Sequence, residues 1–266
     1  MLCEQLHVEQ VPRGSKLRAN TWIVLPAYNA ESTLENTVEE IPREFHGRII
    51  LVDDNSTDNT VAKAEELGLH VIRHEVNKGY GGNQKTCYKA AIKHGAEIVI
   101  MLHPDHQYDP RVLGVMSDLI ELGNCDIVLG NRIRTRYEAL SGGMPKWRYF
   151  INRTSTFVEN ILLGQTIGDF HSGLRGYSRK VLENIPFEEN SDGFSFDQEF
   201  LVEAVSLKFR IADIPIPVKY EINSSSISPR NTIRYGIGAV AILARYFLHK
   251  TKILRDIRFK SKLTNE

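Results

Sequence analysis

The sequence predicts an α/β protein with a mostly parallel, doubly wound sheet and helices on both faces. Three observations support this fold class. Short, continuous apolar runs rich in β-branched residues alternate with helix-length segments, and such runs are typical of strands buried on both faces. Polar clusters follow the runs, at the edge where such sheets bind ligands. A chain of 266 residues can also bury a large core without metal or disulfide support.

Five strand-like runs occupy the first half of the chain, at residues 22–25, 49–52, 70–72, 98–102 and 127–129. Helices are expected between them, at residues 32–40, 60–67, 84–94 and 110–122. Their ends carry recognisable signals. Gly68 and Gly95 stop two of the helices, and Asp109 is a cap followed by Pro110 at the first helical position.

The alternation loosens after the fifth run. The pattern predicts a long amphipathic helix at 147–163, a short strand at 173–177 and a helix at 197–207. An extended segment at 209–220 is interrupted by prolines, and a last helix is expected at 232–250.

Charge is balanced over the whole chain but not along it. The 33 Lys and Arg residues equal the 33 Asp and Glu residues, which argues against a nucleic-acid binder. From residue 226 to the end, nine Lys and Arg residues face two acidic residues, a net charge of +7. This asymmetry predicts a basic tail that contacts an anionic surface.

Cysteine usage and hydropathy predict a cytoplasmic protein. Cys3, Cys87 and Cys125 are an odd number without metal-ligand spacing, which indicates buried free thiols in a reducing compartment. No signal-peptide pattern is visible at the N-terminus. The apolar stretch at 237–248 contains Arg245 and is too short to span a bilayer.

Polar residues cluster directly after four of the strand-like runs. The clusters cover residues 26–29 (PAYN), 53–60 (DDNSTDNT), 103–110 (HPDHQYDP) and 130–132 (GNR). Any one of them is explained by helix capping, because Asp, Asn, Ser and Thr all suit a cap. Together at one sheet edge, they suit ribose hydroxyls, a base N–H or a divalent cation that bridges phosphates.

The third cluster contains a candidate metal site. If the strand continues, His103, Asp105 and Gln107 point to one face. Such a set can hold a divalent cation on a diphosphate, and the imidazole shifts the preference from Mg²⁺ toward Mn²⁺. The alternative is that His103 is an ordinary polar loop residue. The glycine-rich segment 77–83 is either a phosphate cradle or a plain strand-to-helix turn, and its spacing is not the dinucleotide fingerprint.

These clusters, together with Asn77-Lys78-Gly79 and the segment 172–177 (SGLRGY), resemble the family-two inverting glycosyltransferases of the GT-A fold. The later segment is similar to the dolichyl-phosphate mannosyltransferase and polyprenyl-phosphate glycosyltransferase branch. The resemblance covers roughly residues 20–220. The run Val-Asp-Asp-x-Ser-x-Asp-x-Thr at 52–60 is its most specific motif.

The resemblance implies a UDP- or GDP-sugar donor, a Mg²⁺ or Mn²⁺ ion and inversion at the anomeric carbon. It implies that the nucleotide sugar is bound by Pro26, Ala27, Tyr28, Asn29, Asp53, Asp54, Gly79 and Asp105. Asp105 corresponds to the second acid of the Asp-x-Asp metal motif, with Gln107 beside it and His103 in place of the first acid. Arg132 and Arg175 are expected to meet phosphates of the donor or the acceptor.

The resemblance also gives a division of the chain. A polar leader is expected at 1–20, a GT-A domain at 21–222 and a C-terminal helix with a basic tail at 223–266. Within the domain, the nucleotide-sugar half covers about 21–132 and the acceptor half about 133–222. Besides His103, a second position departs from the family pattern, because Ala30 stands where a Glu is usual and Glu31 follows.

The acceptor decides which catalytic groups are needed. A polyprenyl phosphate already carries an anionic oxygen, so orientation and charge stabilisation by Arg132 and Arg175 suffice. A glycan or small-molecule hydroxyl needs a carboxylate base, for which Asp197 or Glu199 is the candidate. Both acids also suit the first turn of a helix. A third hypothesis is a non-catalytic nucleotide-sugar binder that lost activity with the first metal acid.

The last predicted helix carries an apolar stripe and basic flanks. Ile233, Ile237, Val240, Ala241, Ala244 and Leu248 share one helical face, and we expect this stripe to pack on the core. Eight basic residues flank or extend it: Arg230, Arg234, Arg245, Lys250, Lys252, Arg255, Arg258 and Lys260. Each one contributes about 1 kcal/mol near an anionic leaflet, which predicts salt-sensitive attachment to the cytoplasmic face of a membrane.

Overall fold

The computed structural model describes residues 20–217 and 229–260, and for residues 229–235 it describes the backbone alone. Residues 1–19 of the expected leader and Cys3 lie outside the described residues. The same holds for residues 218–228 and 261–266, and for the side chains of Arg230, Ile233 and Arg234.

A seven-stranded sheet of order β3-β2-β1-β4-β6-β5-β7 forms the centre of the described structure. The strands are β1 (Thr21–Ala27), β2 (Ile49–Asp53), β3 (His70–Arg73), β4 (Ile98–Met101), β5 (Ile127–Asn131), β6 (Arg175–Ser178) and β7 (Ile211–Pro215). β6 runs antiparallel to β4 and β5, and the other pairings are parallel. All five strand-like runs of the first half form strands, so the predicted fold class is confirmed.

Helices connect the strands and cover both faces of the sheet. They are α1 (Glu31–Glu40), α2 (Thr60–Glu66), α3 (Gly79–Lys93), α4 (Leu113–Glu121), α5 (Arg136–Ser141), α6 (Lys146–Leu163), α7 (Arg179–Asn184), α8 (Phe196–Ser206) and α9 (Pro229–Lys250). α3 begins at Gly79, five residues before the predicted start. The sequence analysis did not predict α5 and α7, which have six residues each and are too short to show a helical period.

The core lies in two layers, one on each face of the sheet. On one face, Tyr88 of α3, Tyr177 of β6 and Phe200 of α8 pack together, and the Tyr177 and Phe200 rings are 4.8 Å apart. On the other face, Leu34 of α1 and Met116 of α4 are fully buried. The two layers fix the sheet, so that the loops at one edge have a rigid base.

Two of the three cysteines lie within the described residues. Cys87 and Cys125 are buried free thiols. Burial raises the pKa of Cys87, and it raises the pKa of Cys125 to about 11, so both are inert thiols at neutral pH. Within residues 20–217 and 229–260, we find no helix that combines the length and the apolarity needed to cross a bilayer.

The packing predicted for the last helix is wrong. The side chains of Ile237 and Val240 are 65% and 68% exposed, and Leu248 is 40% exposed. Instead, α9 buries a neighbouring stripe, which contains Ile242, Leu243 and Tyr246. Gly238 explains the shift, because α9 approaches α8 so closely that a Cβ there would lie 2.7 Å from the Cβ of Ser195. The described part of the predicted stripe, from Ile237 to Leu248, therefore faces outward.

The segment after α9 folds back onto the protein. Arg258 is 8% exposed and Phe259 is 5% exposed. Asp256 accepts hydrogen bonds from Arg258 and, at 2.7 Å, from Arg245. Two of the basic residues expected to meet an anionic surface are thus paired with Asp256: Arg258 is buried, and the Arg245 side chain is 49% exposed.

Candidate active site

The ends of β1, β2 and β4 lie side by side and carry the predicted donor residues. Ala27, the last residue of β1, is in register with Asp53, the last residue of β2. The backbone N–H of Asp54 donates to the Ala27 carbonyl at 2.9 Å. Pro26 and Ala27 belong to the buried end of β1 and continue directly into the polar turn.

The turn after β1 is tied to the turn after β2. Asn29 has a positive φ of 51°, and its side-chain oxygen accepts from the Thr57 N–H at 2.9 Å. The Asn29 N–H donates to the Ser56 hydroxyl at 2.8 Å. Tyr28 at the tip is 56% exposed, so its ring is available to a ligand at this edge. The motif residues thus form one rigid edge around an exposed aromatic ring.

Asp53 presents a buried oxygen that lacks a partner among the described residues. The carboxylate is fully buried, and its Oδ2 accepts from the Ser56 N–H at 3.1 Å. Its Oδ1 is buried and has no hydrogen-bond donor. A buried acceptor without a donor is costly unless a ligand supplies one. A base N–H or a ribose hydroxyl fits this requirement.

Asp54 and Gly79 are used inside the protein. The Asp54 carboxylate accepts from the N–H groups of Lys78 and Gly79, at 2.8 and 2.9 Å, and pairs with His74 at 2.7 Å. The N–H of Gly81, two residues after Gly79, donates to the Asp192 carbonyl at 2.8 Å. These donors are occupied by protein oxygens, so the segment behaves as a strand-to-helix turn in this structure.

His103, Asp105 and Gln107 lie on a turn and not on an extended strand. β4 ends at Met101, and His106 has a positive φ of 56°. The assumption that the strand continues is therefore wrong, because Pro104 cannot donate to a sheet ladder and the chain turns at His106. Asp105 accepts from the Gln107 N–H at 3.3 Å.

The His103 side chain contacts Tyr80 of α3. Its Nε2 is 3.2 Å from the Tyr80 hydroxyl. Burial lowers its pKa below the ordinary value, against the opposite pull of Asp105 and Asp197, so the ring is neutral at pH 7. A neutral imidazole is the form that binds a metal.

The residues at this turn fit a metal that is bound together with a diphosphate. No group of three or more His, Cys, Asp or Glu side chains that could hold an ion alone occurs in the described part of the chain. Mg²⁺ is commonly held by one or two carboxylates plus substrate phosphates and water. Asp105 and the neutral His103 suit that partial site, and their roles as metal ligands stay predictions.

Arg132, the residue after β5, is held by a buried carboxylate. Its Nε donates to Asp169 at 2.7 Å, and its NH2 donates to the His171 carbonyl at 2.8 Å. Asp169 is fully buried and also accepts from Asn152 of α6 at 3.0 Å. Burial opposes ionisation of Asp169, but Arg132, His171 and Asn152 outweigh it and lower the pKa to about 2. The ion pair fixes the guanidinium direction at the end of β5.

Arg175 is buried beneath this region. It is 1% exposed and donates to the carbonyls of Ser172, Phe170 and Asp197 at 2.8, 3.0 and 3.1 Å. Its NH2 is 3.6 Å from the Asp197 carboxylate. In this structure, Arg175 holds the 170–172 loop against α8, so the predicted phosphate contact requires that loop or α8 to move.

Asp197 and Glu199, the candidate bases, are engaged by other residues. Asp197 accepts from the Tyr80 hydroxyl at 2.7 Å and from the Gln84 amide at 3.1 Å. Glu199 accepts from the Ser191 N–H at 2.6 Å. Both carboxylates therefore accept hydrogen bonds from protein donors.

Sequence reasoning missed two residues at this site, Tyr80 and Asp169. Tyr80 lies within the glycine-rich segment 77–83, for which the sequence analysis considered only the backbone N–H groups. Asp169 lies in the segment Gly168-Asp169-Phe170, which carries no motif that the sequence analysis used. A buried Arg needs a carboxylate partner, and that requirement is the one signal for Asp169.

Comparison with known proteins identifies a family and several relatives. The family model named Glycosyl transferase family 2 matches residues 22–186. The UDP-N-acetylglucosamine–dolichyl-phosphate N-acetylglucosaminyltransferase of Methanococcus voltae is 29% identical over 75% of this chain and 85% of its own. The polyprenol monophosphomannose synthase of Mycolicibacterium smegmatis is 27% identical over 79% of this chain and 82% of its own.

Solved structures agree on the fold. Glucosyl-3-phosphoglycerate synthase from Mycobacterium tuberculosis, in complex with Mn²⁺, UDP-glucose and phosphoglyceric acid, has a TM-score of 0.66 and 18% identity. The likeness covers 89% of this chain and 85% of that chain. The fold, the motif-bearing sheet edge and a family model that spans more than half of the sequence lead to one conclusion: the chain belongs to glycosyl transferase family 2.

Proposed function

We propose that the protein transfers a sugar from a UDP- or GDP-sugar to a polyprenyl phosphate of the dolichyl type, with inversion. The two relatives named above act on dolichyl phosphate or make a polyprenol monophosphomannose, as their names state. The observation that carries the lipid acceptor is the outward face of α6. This helix holds the Arg132–Asp169 pair on its inner side and exposes an apolar surface on its outer side.

The inner side of α6 contacts the acceptor half of the site. Asn152 donates to Asp169, and Glu159 is 3.3 Å from His171. Six apolar side chains on the outer side are 43–65% exposed: Trp147, Phe150, Ile151, Phe157, Val158 and Ile161. We call these six residues the α6 apolar face. A helix of a water-facing protein normally carries polar residues there, so the face fits a lipid environment beside the site.

The engaged carboxylates favour a phosphate acceptor over a hydroxyl acceptor. A hydroxyl acceptor needs a base, and Asp197 and Glu199 already accept hydrogen bonds from protein donors. A phosphate monoester oxygen is an anion and attacks without deprotonation. It forms a bond to the anomeric carbon as the bond from that carbon to the diphosphate oxygen breaks, and the nucleoside diphosphate leaves.

The chain's own residues orient the reactants and balance charge. Asp53 is suited to accept a hydrogen bond from the nucleoside, and Arg132 supplies a fixed guanidinium near the phosphates. Asp105, with His103, would hold a Mg²⁺ or Mn²⁺ ion, which supplies positive charge for the leaving diphosphate when it is bound.

A transfer assay tests this function. Purified protein is incubated with a panel of UDP- and GDP-sugars and Mn²⁺ or Mg²⁺, with either a polyprenyl phosphate or a free glycan as acceptor. We expect a glycosyl lipid product, lost on addition of EDTA and in Asp105→Ala. Product on the glycan alone would overturn the lipid acceptor. Binding of a nucleotide sugar without any transfer or hydrolysis would favour the non-catalytic binder.

Exposed side chains in the segment after α9 support attachment to an anionic membrane surface. Lys252 and Arg255 are exposed in the segment after α9, and they alternate with Ile253 and Ile257, which are 75% and 60% exposed. Exposed apolar side chains flanked by cations match an interface of lipid tails and acidic headgroups. The α6 apolar face and this segment would act together.

Liposome co-sedimentation tests the attachment with matched variants. Truncation after residue 250 is unsuitable, because Phe259 and Asp256 pack within the protein. We expect Lys252→Glu with Arg255→Glu to weaken binding to anionic liposomes, and Phe150→Ser with Phe157→Ser to weaken it further. Val115→Ser, a change of a 52% exposed residue on α4, is the control and should bind normally. Absence of binding by the wild type, or binding unaffected by either pair, would contradict the proposal.

A further inference from the structure

Tyr80 links the donor half and the acceptor half of the site through a single hydroxyl. It is the second residue of α3, and its oxygen lies 2.7 Å from Asp197 Oδ2 and 3.2 Å from His103 Nε2. Its ring stacks on His103, with centroids 5.6 Å apart and planes inclined by 27°. Phe194 packs on the ring at 5.0 Å. The hydroxyl is thus held in place by ring packing and by two polar partners.

Counting hydrogens assigns the direction of both bonds. A tyrosine hydroxyl has one hydrogen, and a carboxylate can only accept. Tyr80 therefore donates to Asp197, which lies 3.6 Å from the Arg175 guanidinium. The oxygen of Tyr80 then accepts, so that Nε2 of His103 must carry the hydrogen. In a neutral imidazole, Nδ1 is then the nitrogen with the lone pair.

The two hydrogen-bond partners of the Tyr80 hydroxyl are themselves fixed. Asp197 also accepts from Gln84 at 3.1 Å, so its carboxylate orientation is set by two donors of α3. A Cβ at Gly173 would lie 2.6 Å from His103 Cδ2 and 2.8 Å from Nε2, which shows how closely the backbone confines this edge of the ring. His103 has little freedom to turn over and exchange its two nitrogens.

Resting on the proposed function, we propose that Tyr80 is a positioning residue for the donor site. It holds His103 in the Nε2–H form and leaves Nδ1 as the nitrogen that meets the metal–diphosphate unit of the nucleotide sugar. Hydrogen bonds of this kind orient metal-binding imidazoles in proteins, and their loss typically costs about 10- to 100-fold in metal affinity or activity. Tyr80 thereby makes the imidazole a substitute for the missing first acid.

Nitrogen-15 NMR of the histidine side chains tests the hydrogen assignment in the protein without any ligand. The His103 signals are identified by their loss in His103→Gln. We expect the Nε2–H form in the wild type, and a growing share of the Nδ1–H form in Tyr80→Phe, which keeps the ring. Tyr246→Phe is the control, because Tyr246 is a buried tyrosine of α9 whose ring packs on Phe247 and Phe259. Its His103 signals should match the wild type.

Metal binding gives a second measurement that does not use turnover. Free Mn²⁺ is followed by electron paramagnetic resonance during titration with protein in the presence of UDP or GDP. We expect Tyr80→Phe to weaken Mn²⁺ binding about 10- to 100-fold and Tyr246→Phe to leave it unchanged. Unchanged Mn²⁺ affinity in Tyr80→Phe would overturn the proposal, as would a wild-type His103 in the Nδ1–H form. The NMR result needs no substrate, so it stands even if the transferase activity is not found.

Discussion

Replacement of Asp169 by Asn is expected to destabilise the protein strongly, because it breaks a buried ion pair. The change keeps the size of the side chain but removes the charge that Arg132 meets at 2.7 Å. Asp169 is fully buried, and the Arg132 side chain is 17% exposed. Removal of one partner of a buried pair typically costs about 3–5 kcal/mol, since the other charge stays buried without compensation. We expect a loss of unfolding free energy in this range at pH 7.

The same ion pair gives this loss a pH dependence. The pKa of Asp169 is lowered from 3.8 to about 2, which corresponds to about 2 kcal/mol of stability. Because the folded-state pKa is depressed, this stability is present above the unfolded-state pKa and is lost as the pH falls through the folded-state value. At pH 3, about 1 kcal/mol of it is already gone. The difference between wild type and Asp169→Asn should therefore shrink by about 1 kcal/mol from pH 7 to pH 3.

Urea denaturation at pH 7, 5 and 3 measures the effect. Glu138→Gln is the control, because Glu138 pairs with Arg134 at the surface, where the two side chains are 46% and 40% exposed. Exposed pairs contribute about 1 kcal/mol or less. A penalty for Asp169→Asn as small as that of the control would refute the reasoning, and so would a penalty that is equal at pH 7 and pH 3.

Three further outcomes are expected. Burial raises the pKa of Glu203 to about 8, so the unfolding free energy of the wild type should fall as the pH rises from about 4.5 toward 8. Glu203→Gln should abolish that fall in urea titrations. An unchanged slope of unfolding free energy against pH would contradict this prediction. Gly173→Ala places a Cβ 2.6 Å from His103 Cδ2, so Mn²⁺-dependent transfer should drop about tenfold or more, and full activity would show that the ring yields. Arg175→Lys removes the planar guanidinium that donates to three carbonyls. Turnover should fall, and the unfolding free energy should drop by about 3 kcal/mol. Wild-type turnover and stability would show that the guanidinium is dispensable.

The sheet could be predicted from the sequence because its strands are buried on both faces. Such strands need continuous apolar runs, and the run at residues 49–52 is apolar at every position, which suits burial on both faces of a sheet. The antiparallel direction of β6 was not predictable, because its four residues, Arg175–Ser178, carry no direction signal. It follows from the pairing of Arg175 with Met101 on one side and with Leu129 on the other.

The candidate site was predictable only where a motif keeps its residues close in the sequence. The motif after β2 brought Asp53 to the sheet edge as expected. In contrast, the contact between Tyr80 and Asp197 joins residues 117 positions apart, and only the tertiary structure shows it. The packing prediction for α9 failed for a related reason. A helical period shows that the two faces of a helix differ, but it does not show which face packs on the protein.

The position of β6 has a consequence for how the chain reaches its native state. β4 and β5 do not pair with each other, because β6 lies between them and bonds to both. Until residues 175–178 have been synthesised and inserted, β4 and β5 each present an unsatisfied edge. A nascent chain that ends before β6 is therefore an aggregation-prone intermediate, and β4 and β5 join one continuous sheet only through a strand that comes later in the chain. Separate expression of residues 21–132 should consequently give insoluble protein, although most of the nucleotide-sugar motifs lie within them.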